Sequence, residues 1–132
     1  LILAVPVLCA ALAMVPLWLS ERLTDHALQP WRSDPQAAYS DLDTAAALNP
    51  LADRPHAAEA VIAESSGDRE RALDAVRRAQ AEQPRDWTGY FLEARILAPV
   101  DQAAALAALD RATELNPRGP ELKALRKKIE GL

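Results

Sequence analysis

The sequence is poor in the residues on which most protein chemistry depends. Of its 132 residues, one is cysteine, two are histidine and four are glycine. A single cysteine, Cys9, cannot form a disulfide within the chain. His26 and His56 have no cysteine or second histidine at the spacing of a metal site. So few glycines leave no G-x-G-x-x-G motif and no P-loop. We therefore expect no catalytic, metal or cofactor site in these residues.

Charge is missing from the N-terminal segment. Residues 1–20 read LILAVPVLCAALAMVPLWLS, and every charged residue of the chain lies at or after Glu21. About twenty apolar residues form roughly 30 Å of helix, the thickness of a bilayer hydrocarbon core. Trp18 lies where aromatic side chains anchor a helix at the membrane interface. The segment therefore predicts a transmembrane helix over residues 1–20, in contact with the lipid bilayer.

Other interpretations of this segment stay open. Ala11-Leu12-Ala13 has the small residues of a signal-peptide cleavage site, although no basic region precedes it and the apolar run continues to Leu19. A buried helix is a further alternative, but such helices are rarely apolar on all sides. A lipid anchor at Cys9 is disfavoured because Leu8 stands where a small residue is expected. The chain does not begin with methionine, so the segment is also expected as the last span of a longer multi-pass protein.

A spaced pattern recurs three times in the rest of the chain. Its form is D-x3-A-x3-[LV]-x2-A-x4-P, and the copies begin 34 and then 33 residues apart. They consist of Asp34, Ala38, Leu42, Ala45 and Pro50; Asp68, Ala72, Val76, Ala79 and Pro84; and Asp101, Ala105, Leu109, Ala112 and Pro117. The Asp carboxylate can accept the free N–H groups of a first helical turn. The next three residues share one helix face, and the proline ends the helix.

The pattern predicts pairs of helices. The expected second helices cover 35–48, residues from Asp68 to about Glu82, and a stretch after Asp101. Glu21–Trp31 occupies the place of the first helix of the first pair, Asp53 is expected to cap a helix over about 54–65, and the third pair begins at Asp86. Gly67 is expected to make a turn. We place the missing residue of the third copy at Ala98-Pro99-Val100, with the turn near Arg85 as the alternative. Gly119-Pro120 opens a last helix that ends near Glu130.

The period near 34 and the closing proline resemble those of tetratricopeptide (TPR) repeats, in which helix pairs stack into a solenoid. The fold class is therefore expected to be all-α: an N-terminal transmembrane helix followed by a short TPR-like α-solenoid of about three helix pairs plus a capping helix. The domains are expected at 1–20 for the transmembrane helix and 21–132 for the repeat domain. The repeats within it are expected at about 21–52, 53–85 and 86–118, with a cap at 119–131.

The resemblance to TPR proteins implies a binding groove lined by the first helix of each pair. The groove positions correspond to Arg54, Ala57, Val61 and Glu64 in the second repeat, and to Thr88, Phe91 and Arg95 in the third. Of these, the candidate groove-binding residues are Arg54, Glu64, Phe91 and Arg95. Phe91 and Arg95 are a plausible anchor pair, since aromatic residues and arginine are enriched at binding hot spots. Packing of Phe91 against the next helix is the alternative.

The expected partner is a protein or peptide in this groove. Some TPR proteins hold a C-terminal carboxylate with a Lys/Asn clamp, but Ala57 and Val61 depart from that clamp. Nucleic acid is an unfavourable partner because the chain has a net charge of −4 with mixed signs.

The apolar segment and the following run WRSDPQAAYSDLDTAAALNPLADRPH together resemble the C-terminal tail of bacterial O-antigen ligase or polymerase-type membrane proteins. That resemblance implies a glycan-transferring membrane domain upstream, so a longer parent protein would be the enzyme. Our leading interpretation is a membrane-tethered TPR module that mediates protein–protein interaction at a bacterial cytoplasmic membrane. The alternative is an accessory tail of such an enzyme, and a secreted solenoid is the third interpretation.

Overall fold

The computed structural model describes residues 4–29 and 31–131, with side chains from residue 14 onward. These residues form seven α-helices and no strand. The helices are α1 (Ala4–Ala27), α2 (Pro35–Leu48), α3 (Arg54–Ser65), α4 (Arg69–Glu82), α5 (Trp87–Leu97), α6 (Gln102–Leu115) and α7 (Pro120–Glu130). Helices α1 and α2, α3 and α4, and α5 and α6 pack as pairs, and α7 packs on α6. The chain is an all-α, TPR-like solenoid.

The interior consists of three small cores in a row. The first lies among α1, α2 and α3, the second among α3, α4 and α5, and the third among α5, α6 and α7. Alanine supplies much of each core and allows the helices to approach closely, while Leu42, Ile62, Val76 and Leu109 fill the remaining space. Because each core is shared only between neighbouring pairs, stability is built step by step along the array, as in other solenoids.

The predicted aspartate caps are confirmed at the second helix of every pair. Asp34 accepts from the Ala37 amide at 3.0 Å, Asp68 from Arg71 at 3.1 Å, and Asp101 from Ala104 at 2.9 Å. Asp53 behaves differently, because its side chain makes no capping hydrogen bond to α3. Its backbone has helical angles, φ −76° and ψ −24°, whereas the extended backbone typical of an N-cap directs the side chain at the first turn.

The predicted helix stops are also present. Asn49, Gln83 and Asn116 end α2, α4 and α6, each immediately before a proline. Their ψ angles, between 71° and 82°, are extended, because the proline ring disfavours helical geometry in the preceding residue.

The turns account for the unequal spacing of the copies. Gly67 has φ +80° in the α3–α4 turn, a conformation that suits glycine. The predicted deletion at Ala98–Val100 is wrong, since four residues separate α5 from α6 and three separate α3 from α4. The connection between α4 and α5 has four residues and that between α2 and α3 has five. The missing residue therefore falls near Arg85, which was the alternative.

The predicted transmembrane helix over residues 1–20 is wrong. Residues 1–3 lie outside the described part of the chain, and no described helix is both long and apolar enough to cross a bilayer. Helix α1 continues to Ala27 through charged residues and packs against α2 and α3. Its C-terminal half is thus the first helix of the first pair.

Helix α7 closes the far end of the array. Leu122, Leu125 and Ile129 lie in the third core, whereas the lysines of α7 are exposed. Gln102 donates from Nε2 to the Ile129 carbonyl at 2.8 Å, which ties the last turn of α7 to the start of α6. The helix therefore covers the apolar side of the last pair with a polar outer surface, as a solenoid cap must.

Candidate functional site

The first helices of the pairs share one face of the array. Helix α3 contacts both α1 and α5, in addition to the second helix of its own pair. We call the surface formed jointly by α1, α3 and α5 the first-helix face. All four candidate residues lie on α3 or α5. The polar contacts below show how the face is organised.

Arg54 links α3 to α1. Its Nη2 lies 2.6 Å from Asp25 Oδ1, and its Nη1 contacts the Glu21 carboxylate. The three side chains are about half exposed, at 47%, 50% and 55%. Solvent-exposed ion pairs of this kind contribute roughly 0–1 kcal/mol each. The contact therefore positions charge at the surface more than it stabilises the fold.

Arg95 links α5 to α3 in the same way. Its Nε donates to Glu64 Oε1 at 3.0 Å, and its Nη2 contacts the second carboxylate oxygen. Such a two-point contact fixes the guanidinium plane as well as the charge. The structure thus brings two of the predicted residues together and neutralises the cation that was expected to meet a partner. It places Arg54 elsewhere, against α1.

Phe91 packs against the interior, which was the alternative to a role in binding. It is partly buried against the third core, and its ring meets Trp87 edge-on with centroids 5.8 Å apart. The remaining surface lies beside Arg95, one helical turn away on α5. Ala57 and Val61 of α3 are likewise partly buried, against the second core. The middle of the first-helix face is therefore small and apolar, with ion pairs toward either end of α3.

A buried carboxylate that sequence reasoning missed lies behind this face. Glu59 of α3 has 3% of its side chain exposed and pairs with two arginines of α4. Arg71 Nε is 2.8 Å from Oε1, and Arg78 Nη2 is 3.0 Å from Oε2. The Arg71 guanidinium also lies 3.5 Å from the ring centroid of Tyr39 on α2. A signal was present: the two arginines are seven residues apart on one helix face, opposite a glutamate set among apolar residues.

One titratable side chain of α3, that of His56, has a shifted pKa. Burial lowers the pKa of His56, and the positive charge of Arg78 lowers it further. Its partly buried position agrees with a packing role. Among residues 4–29 and 31–131, no group of three or more His, Cys, Asp or Glu side chains is placed to hold a metal ion.

Asp53 provides a testable pH effect. Burial raises its pKa, and the charge and hydrogen bond of the neighbouring Asp86 raise it further. A raised pKa in the folded state means that ionised Asp53 opposes folding, and that the opposition fades as the pH falls through that pKa. We expect Asp53→Asn to raise the thermal midpoint at pH 7, since the amide can donate to Asp86. The gain should shrink toward pH 4. A lower midpoint at pH 7, or a gain independent of pH, would contradict this.

No protein-family model and no curated protein matches the chain. Solved structures match it over most of its length. The TPR domain of Arabidopsis OM64 superposes with a TM-score of 0.76 at 15% identity, covering 88% of this chain and 98% of that one. The first TPR of Spaghetti (RPAP3), bound to the HSP90 peptide SRMEEVD, gives 0.75 at 14% identity, covering 87% and 93%. This chain has the TPR fold.

A third similar structure comes from a bacterium. The type III secretion chaperone SycD of Yersinia enterocolitica, in complex with a peptide of the translocator YopD, superposes with a TM-score of 0.69 at 19% identity. The match covers 84% of this chain and 86% of SycD. These three neighbours are TPR domains or a chaperone, not enzymes. The TPR assignment from the repeat pattern is therefore confirmed, and at these identities the likeness concerns the fold.

Proposed function

We propose that this TPR domain is a protein–protein interaction module that binds a peptide segment of a partner on its first-helix face. The observation that carries the proposal is the solenoid itself, which presents α1, α3 and α5 side by side as one continuous surface. Two of the similar structures hold peptides: that of RPAP3 an HSP90 peptide, and that of SycD a YopD peptide.

The chemistry of the face argues for a peptide that differs from an acidic C-terminal tail. Arg54 and Arg95 already bind carboxylates of this chain, so neither is a free cation. Ala57 and Val61 provide small apolar surface between them. We infer that apolar side chains of the partner pack in the middle of the face, with Phe91 and Arg95 at its α5 side.

Selection from a library of random 12-residue peptides on the immobilised full chain tests this function. Fluorescence anisotropy then measures the affinity of an enriched peptide. We expect the double variant Phe91→Ala, Arg95→Ala to weaken binding at least about ten-fold, a loss of about 1.4 kcal/mol. Arg77→Ala removes an arginine from α4, away from the first-helix face, and should bind as the unmodified chain does.

Circular dichroism at 222 nm shows whether the double variant folds. If it unfolds, the variant Phe91→Leu, Arg95→Ala keeps the packing of the third core and is measured instead. Unchanged affinity in a folded variant would show that the first-helix face is the wrong surface. Failure to enrich any peptide would count against peptide binding altogether.

The resemblance to O-antigen ligase tails stays a prediction from the sequence. In that case the same module would serve as an accessory of a glycan-transferring enzyme, and the coding sequence upstream would encode many further apolar segments. Sequencing upstream of the region that encodes Leu1 tests it. The membrane location and the domain limits expected from the sequence likewise stay predictions.

A further inference from the structure

The N-terminal part of α1 carries an exposed apolar surface. Met14 is 71% exposed, Trp18 59% and Leu17 50%. By contrast, the next turns of the same helix are anchored to α2: Ser20 and Thr24 are buried, and Ser20 donates to the Ala45 carbonyl at 2.8 Å. Helix α1 therefore projects past the end of α2, and the side chains of Met14, Leu17 and Trp18 remain in contact with water. An exposed cluster of this kind often marks an interaction site.

The cluster forms a pocket at the edge of the first-helix face. Its volume is about 420 Å³, within the range of ligand pockets, and its walls are mainly apolar. It is lined by Met14, Leu17, Trp18, Glu21 and Asn49. Glu21 belongs both to this pocket and to the ion pair with Arg54 on the first-helix face. Glu21 therefore joins the pocket to the first-helix face.

The charges beside the pocket favour a basic partner. Glu21 and Asp25 share the single guanidinium of Arg54, so two half-exposed carboxylates face one cation. The other nearby arginine, Arg22, lies over the Trp18 ring at 5.2 Å from its centroid and not against either carboxylate. A lysine or arginine of a partner would complete the charge balance, whereas an acidic residue would meet two carboxylates at close range.

We propose that the α1 end of the first-helix face binds a basic, apolar stretch of the partner peptide. A bulky apolar side chain of the peptide fills the pocket against Met14, Leu17 and Trp18. A lysine or arginine three or four residues from it in the peptide pairs with Glu21 and Asp25. This inference rests on the proposed peptide-binding function. It adds the chemical class of the partner and assigns a role to a segment that contributes little to the cores.

The same peptide selection tests the inference. Peptides enriched on the unmodified chain should carry Lys or Arg within three or four residues of Leu, Ile, Phe, Met or Trp. We expect Trp18→Ala to weaken the binding of an enriched peptide about ten-fold. The double variant Glu21→Gln, Asp25→Asn should weaken it about as much at low salt and reduce the salt dependence of binding. Val100→Ala and Asp74→Asn, which remove an exposed valine between α5 and α6 and an exposed aspartate on α4, are the matched controls.

The outcomes separate this inference from the proposed function. If Phe91→Ala, Arg95→Ala weakens binding and the α1 variants do not, the chain binds peptides but the pocket is not part of the site. Enrichment of acidic peptides also overturns the inference. If light scattering shows a dimer that Trp18→Ala dissociates, the pocket is covered by a second copy and the inference is wrong. Absence of any enriched peptide removes both proposals.

Discussion

Replacing Arg71 with alanine should lower the free energy of unfolding by about 2–3 kcal/mol. Glu59 is nearly inaccessible to water and pairs with two arginines. Removing Arg71 leaves one carboxylate oxygen without a cation, and Arg78 alone must compensate the buried charge. The Tyr39 ring also loses the guanidinium that lies against it. The expected loss is smaller than the roughly 3–5 kcal/mol of a fully broken buried pair, because Arg78 stays and Arg71 is partly exposed.

Chemical denaturation followed by circular dichroism measures the effect. Arg77→Ala is a matched control on the same helix, because Arg77 pairs with Asp74 in an exposed ion pair, and it should change stability by less than about 0.5 kcal/mol. Adding Glu59→Leu to Arg71→Ala should recover part of the loss, since no unpaired carboxylate then remains. If Arg71→Ala and Arg77→Ala are equally stable, the buried network does not contribute to the fold.

Replacing Ala72 or Ala105 with leucine should destabilise the chain by about 1–3 kcal/mol. Both alanines are 0% exposed where α4 and α6 meet their partner helices. Leucine adds volume that the close approach of the helices cannot accept without a shift of the backbone. Ala81 on α4 is exposed, so the same substitution there should stay within about 0.5 kcal/mol. Equal thermal midpoints for the Ala72 and Ala81 variants would show that the repeats are aligned wrongly.

Local features were predictable from the sequence because they depend on neighbouring residues alone. Asp34, Asp68 and Asp101 each accept a hydrogen bond from the amide three residues further along the chain. A proline likewise ends each of these helices whatever its surroundings. The burial of Ala72 and Ala105 followed from helical periodicity in the same way. Asp53 shows the limit of such local rules. Aspartate is a common capping residue, but Asp53 has helical backbone angles and interacts with Asp86, and its side chain makes no capping hydrogen bond.

The candidate site was less predictable because its contacts join helices distant in sequence. The pairing of Glu64 with Arg95 spans 31 residues, and that of Arg54 with Glu21 spans 33. No spacing rule within one helix indicates which charge meets which. Glu21 and Asp25 were accordingly absent from the predicted groove residues, although they hold Arg54.

The sequence by itself determined the positions of the helices from Pro35 onward, the repeat period and the TPR fold. These features were predictable because capping, proline stops and helical periodicity act within a few residues. Only the tertiary structure showed that the helix of the N-terminal segment runs on into the first pair of the array. The segment's lack of charge resembles that of a membrane span. Helix α1 nevertheless continues past the apolar run to Ala27, and this end of the helix lies in the first core. Hydropathy measures the affinity of a segment for an apolar environment, and it cannot show which part of a helix packs against its neighbours and which part stays exposed.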